Sequence, residues 1–383
     1  MANYVEVNPN LIRWAVNRSG LKTRDFKQPV GEWISGDEQP TFSKLEAFAR
    51  KAMVPFGYLF LDEPPVEQLP VPDYRTRGDD GVARPSPNLL ETIYDMQRRQ
   101  QWMREYLIEE HHAALDFVGA AKVGLNEVKV ANAIRNRLDL KADWARRLPS
   151  TEEALRHLRA RVEQIGILIF INGIVGNATN RSLSPEEFQG FVFADEYAPT
   201  IFVNGADAKA AQMFTIAHEL VHVWIGKSAL FNDLASNETN VRQEMYCNAV
   251  AAEFLVPGEL FGQLWDERGE VDDDSYRWFG RYFKVSPIVA ARRAKDLKYI
   301  SADAFFAFYR RYMDELHKVP KKKATGGSFW NNQNTRLGSR FGKAVISAAR
   351  EGRLSYSEAY DLTGLYGKSF DKYASLVHRE AGV

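Results

Sequence analysis

The chain of 383 residues contains a single cysteine, Cys247. No intrachain disulfide can form, which fits a reducing compartment. Cys247 itself reads as a small core hydrophobe rather than a redox group. Net charge is also missing: 50 Lys and Arg balance 50 Asp and Glu, so bulk charge points to neither nucleic acid nor membrane. Long apolar runs are absent. The longest, Ile165 to Val175, is interrupted by Asn172 and is too short to span a bilayer. The N-terminal Met-Ala-Asn-Tyr-Val-Glu-Val lacks a charged-then-apolar signal pattern. These absences predict a soluble, cytoplasmic protein with no membrane partner. Histidine is scarce too, at seven residues.

Two of those seven stand in His218-Glu219-Leu220-Val221-His222. At this scarcity the pattern would arise by chance roughly one time in a hundred. His-Glu-x-x-His places two imidazoles one helical turn apart on one face, with a carboxylate beside them. That is the geometry of a zinc hydrolase, with two ligands and a glutamate to activate water. The surrounding run, Ala208 to Ile225, reads as a buried helix with Asp207 as N-cap and Gly226 as stop. Leu220, Val221, Val223, Trp224 and Ile225 leave almost no polar face on its last turns. Three polar side chains in such a helix need partners, because unpaired buried polar groups are costly. A metal would satisfy all three; two core histidines bonded to backbone are the alternative.

A tetrahedral catalytic zinc needs a third protein ligand and one open position. The next predicted helix, Val241 to Val256, ends at Pro257 and supplies candidates. Glu244, Cys247 and Asn248 fall at i, i+3 and i+4 and share a face. Ala249, Ala251 and Ala252 would let a neighbouring helix come close. Glu244 is the preferred third ligand, with Asn248 orienting a ligand imidazole. Glu238, placed before the helix, and Glu253, farther along it, compete, and an ordinary solvent-facing Glu244 is the plain reading.

These segments together, with Asn248-Ala-Val-Ala-Ala-Glu-Phe-Leu-Val-Pro257, resemble the ImmA/IrrE family of zinc metallopeptidases. That family closes its glutamate-bearing helix with Asn-x-x-Ala-x-x-Leu-x-Pro; its usual Leu-Met-Pro is Leu255-Val256-Pro257 here. The resemblance implies His218, His222 and Glu244 as Zn²⁺ ligands and Glu219 as general base. It extends to the preceding strand region, to Phe283–Leu297, and to the flanks of the longer phage- and plasmid-type members. It implies a zincin-like core, a small sheet plus metal-binding helices. It also implies a narrow substrate, a helix-turn-helix repressor cut once to relieve silencing. A DNA- or partner-binding regulator that uses the metal domain as scaffold or sensor is the other reading, as is a toxin–antitoxin component.

Around the core the sequence predicts helical modules. Leu11–Gly20, Val30–Gly36 and Pro40–Met53 read as three short helices resembling a repressor helix-turn-helix. Pro29, however, interrupts Lys22–Pro29, where a second helix should be firm. Residues 1–65 carry eight Lys or Arg against eight Asp or Glu, without the basic face of a DNA reader. Pro64-Pro65 and Leu69-Pro-Val-Pro-Asp73 read as an extended linker. Pro85 to about Glu110 reads as a long, solvated bridging helix. His111-His112 point about 100° apart on a helix and cannot share a metal face.

Gly166–Ile171, Gly190–Ala194 and Thr200–Val203 read as strands and Thr151–Glu163 as a helix. Strands followed by packed helices suggest an α+β, mostly helical fold. A substrate of such a peptidase commonly adds as an extended strand at a sheet edge, but no strand is marked as that edge. Residues 301–383 hold fourteen Lys or Arg against eight Asp or Glu. There Lys321-Lys322-Lys323-Ala-Thr-Gly-Gly reads as a mobile linker. Arg336–Arg350, Ser355–Leu362 and Ser369–Glu380 read as helices, forming either a solvated cap or a DNA- or acid-binding module. The expected organisation is 1–65 helix-turn-helix-like, 66–121 linker and long helix, 122–300 peptidase core, and 301–383 basic helical module.

Overall fold

The computed structural model describes residues 3–65, 85–231, 238–269, 272–318 and 329–380. The linkers expected at 66–84 and around Lys321-Lys322-Lys323 lie outside the described residues. The chain divides into two compact units between Tyr94 and Asp95. Its architecture is α+β and mostly helical.

In the first unit, α1 (Pro9–Ser19), α2 (Val30–Ser35) and α3 (Phe42–Ala52) enclose Ile12, Trp33 and Phe48. Asn8 and Thr41 cap α1 and α3 by accepting backbone N–H bonds. Between α1 and α2 there is only a 3₁₀ turn, Thr23–Asp25. Pro29, with no N–H and a fixed φ, separates that turn from α2. The stretch Lys22–Pro29, where a second helix was expected, therefore holds only a single turn.

The long helix α4 (Pro87–Glu109) spans the division. The expectation of a solvated bridging helix is not met beyond Asp95. Met96, Met103 and Leu107 are buried at helical spacing. Arg99 is buried with its guanidinium over Phe170 at 5.4 Å and Phe341 at 5.9 Å. Burial lowers it to about 10. The many Arg and Gln residues had masked the apolar stripe.

In the second unit, α5 (Glu127–Arg137) and α6 (Thr151–Gln164) lead into β1 (Leu168–Asn172), the hairpin β2 (Ile174–Val175) and β3 (Ala178–Ser182), β4 (Gly190–Phe193) and β5 (Thr200–Asn204). Then come α7 (Lys209–Ile225), β6 (Ala229–Phe231), α8 (Glu238–Leu255), α9 (Gly258–Arg268), α10 (Asp273–Phe283), α11 (Pro287–Asp296) and α12 (Ala302–Lys318). The last helices are α13 (Phe329–Leu337), α14 (Ser339–Arg350), α15 (Tyr356–Thr363) and α16 (Lys368–Glu380). Helix α13 was not expected.

The main sheet has the order β1-β5-β4-β6, with β1 and β5 parallel and the other pairs antiparallel. Side-chain alternation gives it two distinct faces. Ile169, Ile171, Ile201, Val203 and Val192 join the aliphatic core that includes α7 and α8. Phe191 and Phe202 stack at 5.0 Å and Phe170 meets Phe341 of α14 at 5.5 Å. Both faces are covered, so the strands read as nearly continuous apolar runs. Each such side chain contributes roughly 1.5–3 kcal/mol by burial.

Candidate metal centre

Helix α7 runs through the core, with His218, Glu219 and His222 fully enclosed. Its N-cap is Ala208, not Asp207, and no side chain caps it. Asp207 instead accepts a bond from the Ala208 N–H at 2.7 Å. Its far end is tightly held. Gly226 adopts the left-handed conformation, φ 70°, and its N–H bonds back to the last turn. The segment before α5 crosses there: Gly119 N–H donates to Val223 O at 3.1 Å and Ala121 N–H to Trp224 O at 2.8 Å. A Cβ on Gly226 would lie 2.9 Å from Gly119 Cα, so this crossing needs glycine.

Helix α8 packs against α7 and brings Glu244 to the two imidazoles. Its carboxylate lies 2.9 Å from His218 Nε2 and 3.2 Å from His222 Nε2, and the two Nε2 atoms are 3.1 Å apart. Asn248 Oδ1 lies 3.0 Å from His218 Nδ1 and accepts its N–H. This places a proton on Nδ1 and turns Nε2 toward Glu244. Glu238 begins α8 rather than preceding it. Glu253 is committed elsewhere: it accepts from the Gly258 N–H at 3.1 Å and pairs with buried Arg293.

Burial alone would raise Glu244, but hydrogen bonding to His218 and His222 outweighs it and holds the carboxyl at about 2. Burial lowers His222, which disfavours imidazolium. Two imidazole Nε2 atoms and a carboxylate thus converge at contact distance. Two imidazole nitrogens and a carboxylate oxygen are the donors zinc takes, so these residues fit a Zn²⁺ ion. Glu219 is raised well above its ordinary value by burial and by the charge of Glu244. Neither of its oxygens has a hydrogen-bond partner among the described residues. Burial, with Glu244 and Glu219 nearby, also pushes the Cys247 thiol up.

Gly190 also belongs to this site, although it was not among the residues singled out from the sequence. A Cβ there would fall 2.5 Å from Thr215 Cγ2, 2.8 Å from Phe202 O and 3.5 Å from Glu219 Oε1. The first residue of β4 is glycine because α7 presses against it at the Glu219 turn. A glycine opening the apolar strand Gly190-Phe-Val-Phe193 was the one available signal.

Residues 162–295, which contain all of these groups, match the family described as IrrE N-terminal-like domain, Peptidase_M78. This segment belongs to the ImmA/IrrE peptidase family. The ImmA/IrrE match begins within α6 and ends within α11, so it does not reach the N-terminal unit. Residues 337–375 match a second family, described as a domain of unknown function (DUF8813). No curated protein matches the chain. Among the described residues of the ImmA/IrrE domain and its flanks, no helix is long and apolar enough to cross a membrane.

Proposed function

We propose that the chain is a zinc-dependent metalloendopeptidase. The observation that carries this is the meeting of His218 Nε2, His222 Nε2 and the Glu244 carboxylate within 2.9–3.2 Å, beside a buried Glu219 that lacks a partner. His218, His222 and Glu244 would hold the metal, and Zn²⁺ when bound supplies Lewis acidity toward a carbonyl and toward water. Glu219 takes the proton of the attacking water and delivers it to the leaving amine. Its enclosure excludes competing solvent, and Asn248 keeps His218 in the tautomer that offers Nε2. Gly190, paired with Phe231 of β6, lets the sheet lie against the Glu219 turn. β1 and β6 are the outer strands of the main sheet among the described residues, and α13 packs on β1. An extended substrate would therefore add along β6.

The family resemblance supports a specific peptide bond in a helix-turn-helix repressor as the target, with cleavage relieving repression. The single turn between α1 and α2 gives no support to DNA binding by the N-terminal unit. The test uses zinc-loaded wild type and Glu219→Gln on a proteome-derived peptide library, with cleavage sites mapped by mass spectrometry. Wild type is expected to cut a narrow set of sequences. The variant should keep about one zinc per chain and lose 10²- to 10⁴-fold in rate, the contribution of a general base. Full-rate cleavage by the variant would remove Glu219 from the mechanism.

A further inference from the structure

Cys247 is buried in the core as expected, but the part of the core it joins is the one that holds the two imidazoles. It lies on α8 one turn after Glu244 and is completely buried. The ligating atoms of His218, His222 and Cys247 all lie within 4.8 Å of one another. Two further buried groups, the Glu219 carboxyl and His222 Nδ1, have no hydrogen-bond partner among the described residues. A core hydrophobe would not need to sit with the imidazoles, and alanine or valine would fill the same volume. The two imidazoles are therefore flanked by two different potential donors from adjacent turns of one helix: a hard carboxylate and a soft sulfur.

We propose that Cys247 is an alternative third donor, so that the imidazole pair holds a metal ion either with Glu244 or with the Cys247 thiolate. The inference rests on the metal-centre reading above. In the exchange the bonds from the metal to the Glu244 oxygen and from sulfur to hydrogen break, the metal–sulfur bond forms, and the thiol proton passes to the freed carboxylate or to solvent. No oxidation is involved. Hard, oxygen-preferring conditions favour Glu244. Thiophilic cations are drawn to Cys247, which would hold them in a donor set lacking the carboxylate.

Cobalt(II) and cadmium(II) report the two states directly, because thiolate ligation gives a near-ultraviolet charge-transfer absorption that carboxylate and imidazole lack. Full-length wild type, Glu244→Ala, Glu244→Gln and Glu244→Ala/Cys247→Ser are titrated with cobalt. Wild type is also titrated with cadmium, beside Cys247→Ser, so that the test survives if the Glu244 variants fold poorly. Expected are about one cobalt per chain in wild type and a thiolate band in both Glu244 variants. The band should vanish in the double variant, with cobalt affinity falling by more than roughly the tenfold that loss of an outer-sphere partner costs. Cadmium should give the band in wild type and not in Cys247→Ser. Cobalt binding by wild type and the Glu244 variants without any thiolate band, together with no cysteine-dependent cadmium band, would overturn the role of Cys247 and leave the metal centre standing. Failure of wild type to take up either ion would overturn the metal centre itself.

Discussion

Replacing Gly190 with alanine tests whether the sheet and the metal helix are as closely apposed as the structure has them. The added Cβ would lie 2.5 Å from Thr215 Cγ2 and 2.8 Å from Phe202 O. Unbonded carbon atoms rest at about 3.5–4.0 Å, so one partner must move by about an ångström. Phe202 O cannot yield easily, because it belongs to the backbone of β5 in a fully buried pair of strands. The Thr215 methyl is fixed by packing, and its hydroxyl bonds Ala211 O at 3.1 Å. The strain should therefore cost about 1–3 kcal/mol, the range for one methyl forced into a packed core. It should be felt at Glu219 as well, whose Oε1 would lie 3.5 Å from the new atom. Urea unfolding followed by near-ultraviolet dichroism measures the first effect, and peptidase rate at saturating zinc the second. Thr215→Ser removes one of the two clashes. The double variant Gly190→Ala/Thr215→Ser should therefore be more stable than the two single effects add up to, by about 0.5 kcal/mol or more. If Gly190→Ala unfolded within about 0.5 kcal/mol of wild type and kept full activity, the apposition of β4 and α7 would be wrong.

Asn248→Ala removes the acceptor that sets the His218 tautomer and should weaken zinc affinity by about 10- to 100-fold, measured by chelator competition. An unchanged affinity would mean that the contact is incidental. Arg293 donates from Nε to Val256 O at 2.9 Å and pairs with the buried Glu253 carboxylate. Arg293→Ala should cost about 3–5 kcal/mol because it strands that charge, and denaturant midpoints would show it. Glu163 accepts the Ser339 N–H at 2.6 Å, and burial raises its carboxyl above the ordinary value of 4.5, outweighing Arg159 and the backbone bonds. The folded state thus holds this proton more tightly than the unfolded one. The resulting stability is fully present below 4.5 and is lost as pH rises through the raised value. Stability–pH curves of wild type and Glu163→Gln should converge toward acid and separate above it; parallel curves would contradict the shift.

What could be read from the sequence was whatever a single helix displays along its own length. His218, Glu219 and His222 follow from helical spacing. Glu244 and Asn248 follow from the same spacing one helix later, and the structure brings all five together. The strands were visible because burial on both faces makes β1, β4 and β5 continuous apolar runs. Contacts between elements were not visible. The space denied at Gly190 depends on how β4 meets α7, and Cys247 differs from an ordinary buried cysteine only by what lies across from it. The buried stripe of α4 was hidden because Arg99 is a core residue stacked on aromatic rings. The cap expected from Asp207 went to Ala208 because the acidic side chain turned onto its own neighbouring N–H.

Asn177, in the turn between β2 and β3, accepts from Gln333 Nε2 and Arg336 Nη1, each at 3.1 Å, and donates to Gly364 O at 3.0 Å. Gly338, at φ 68°, sits where a Cβ would lie 2.9 Å from Ile169 O, and Phe341 covers Phe170. One carboxamide thus ties the β2–β3 hairpin to α13 and to the turn after α15, the latter within the residues that match the second family. A chain ended before Phe329 would keep His218, Glu219, His222 and Glu244, yet it would bare the aromatic side of its own sheet, because the C-terminal helices form the second wall of the domain that holds them.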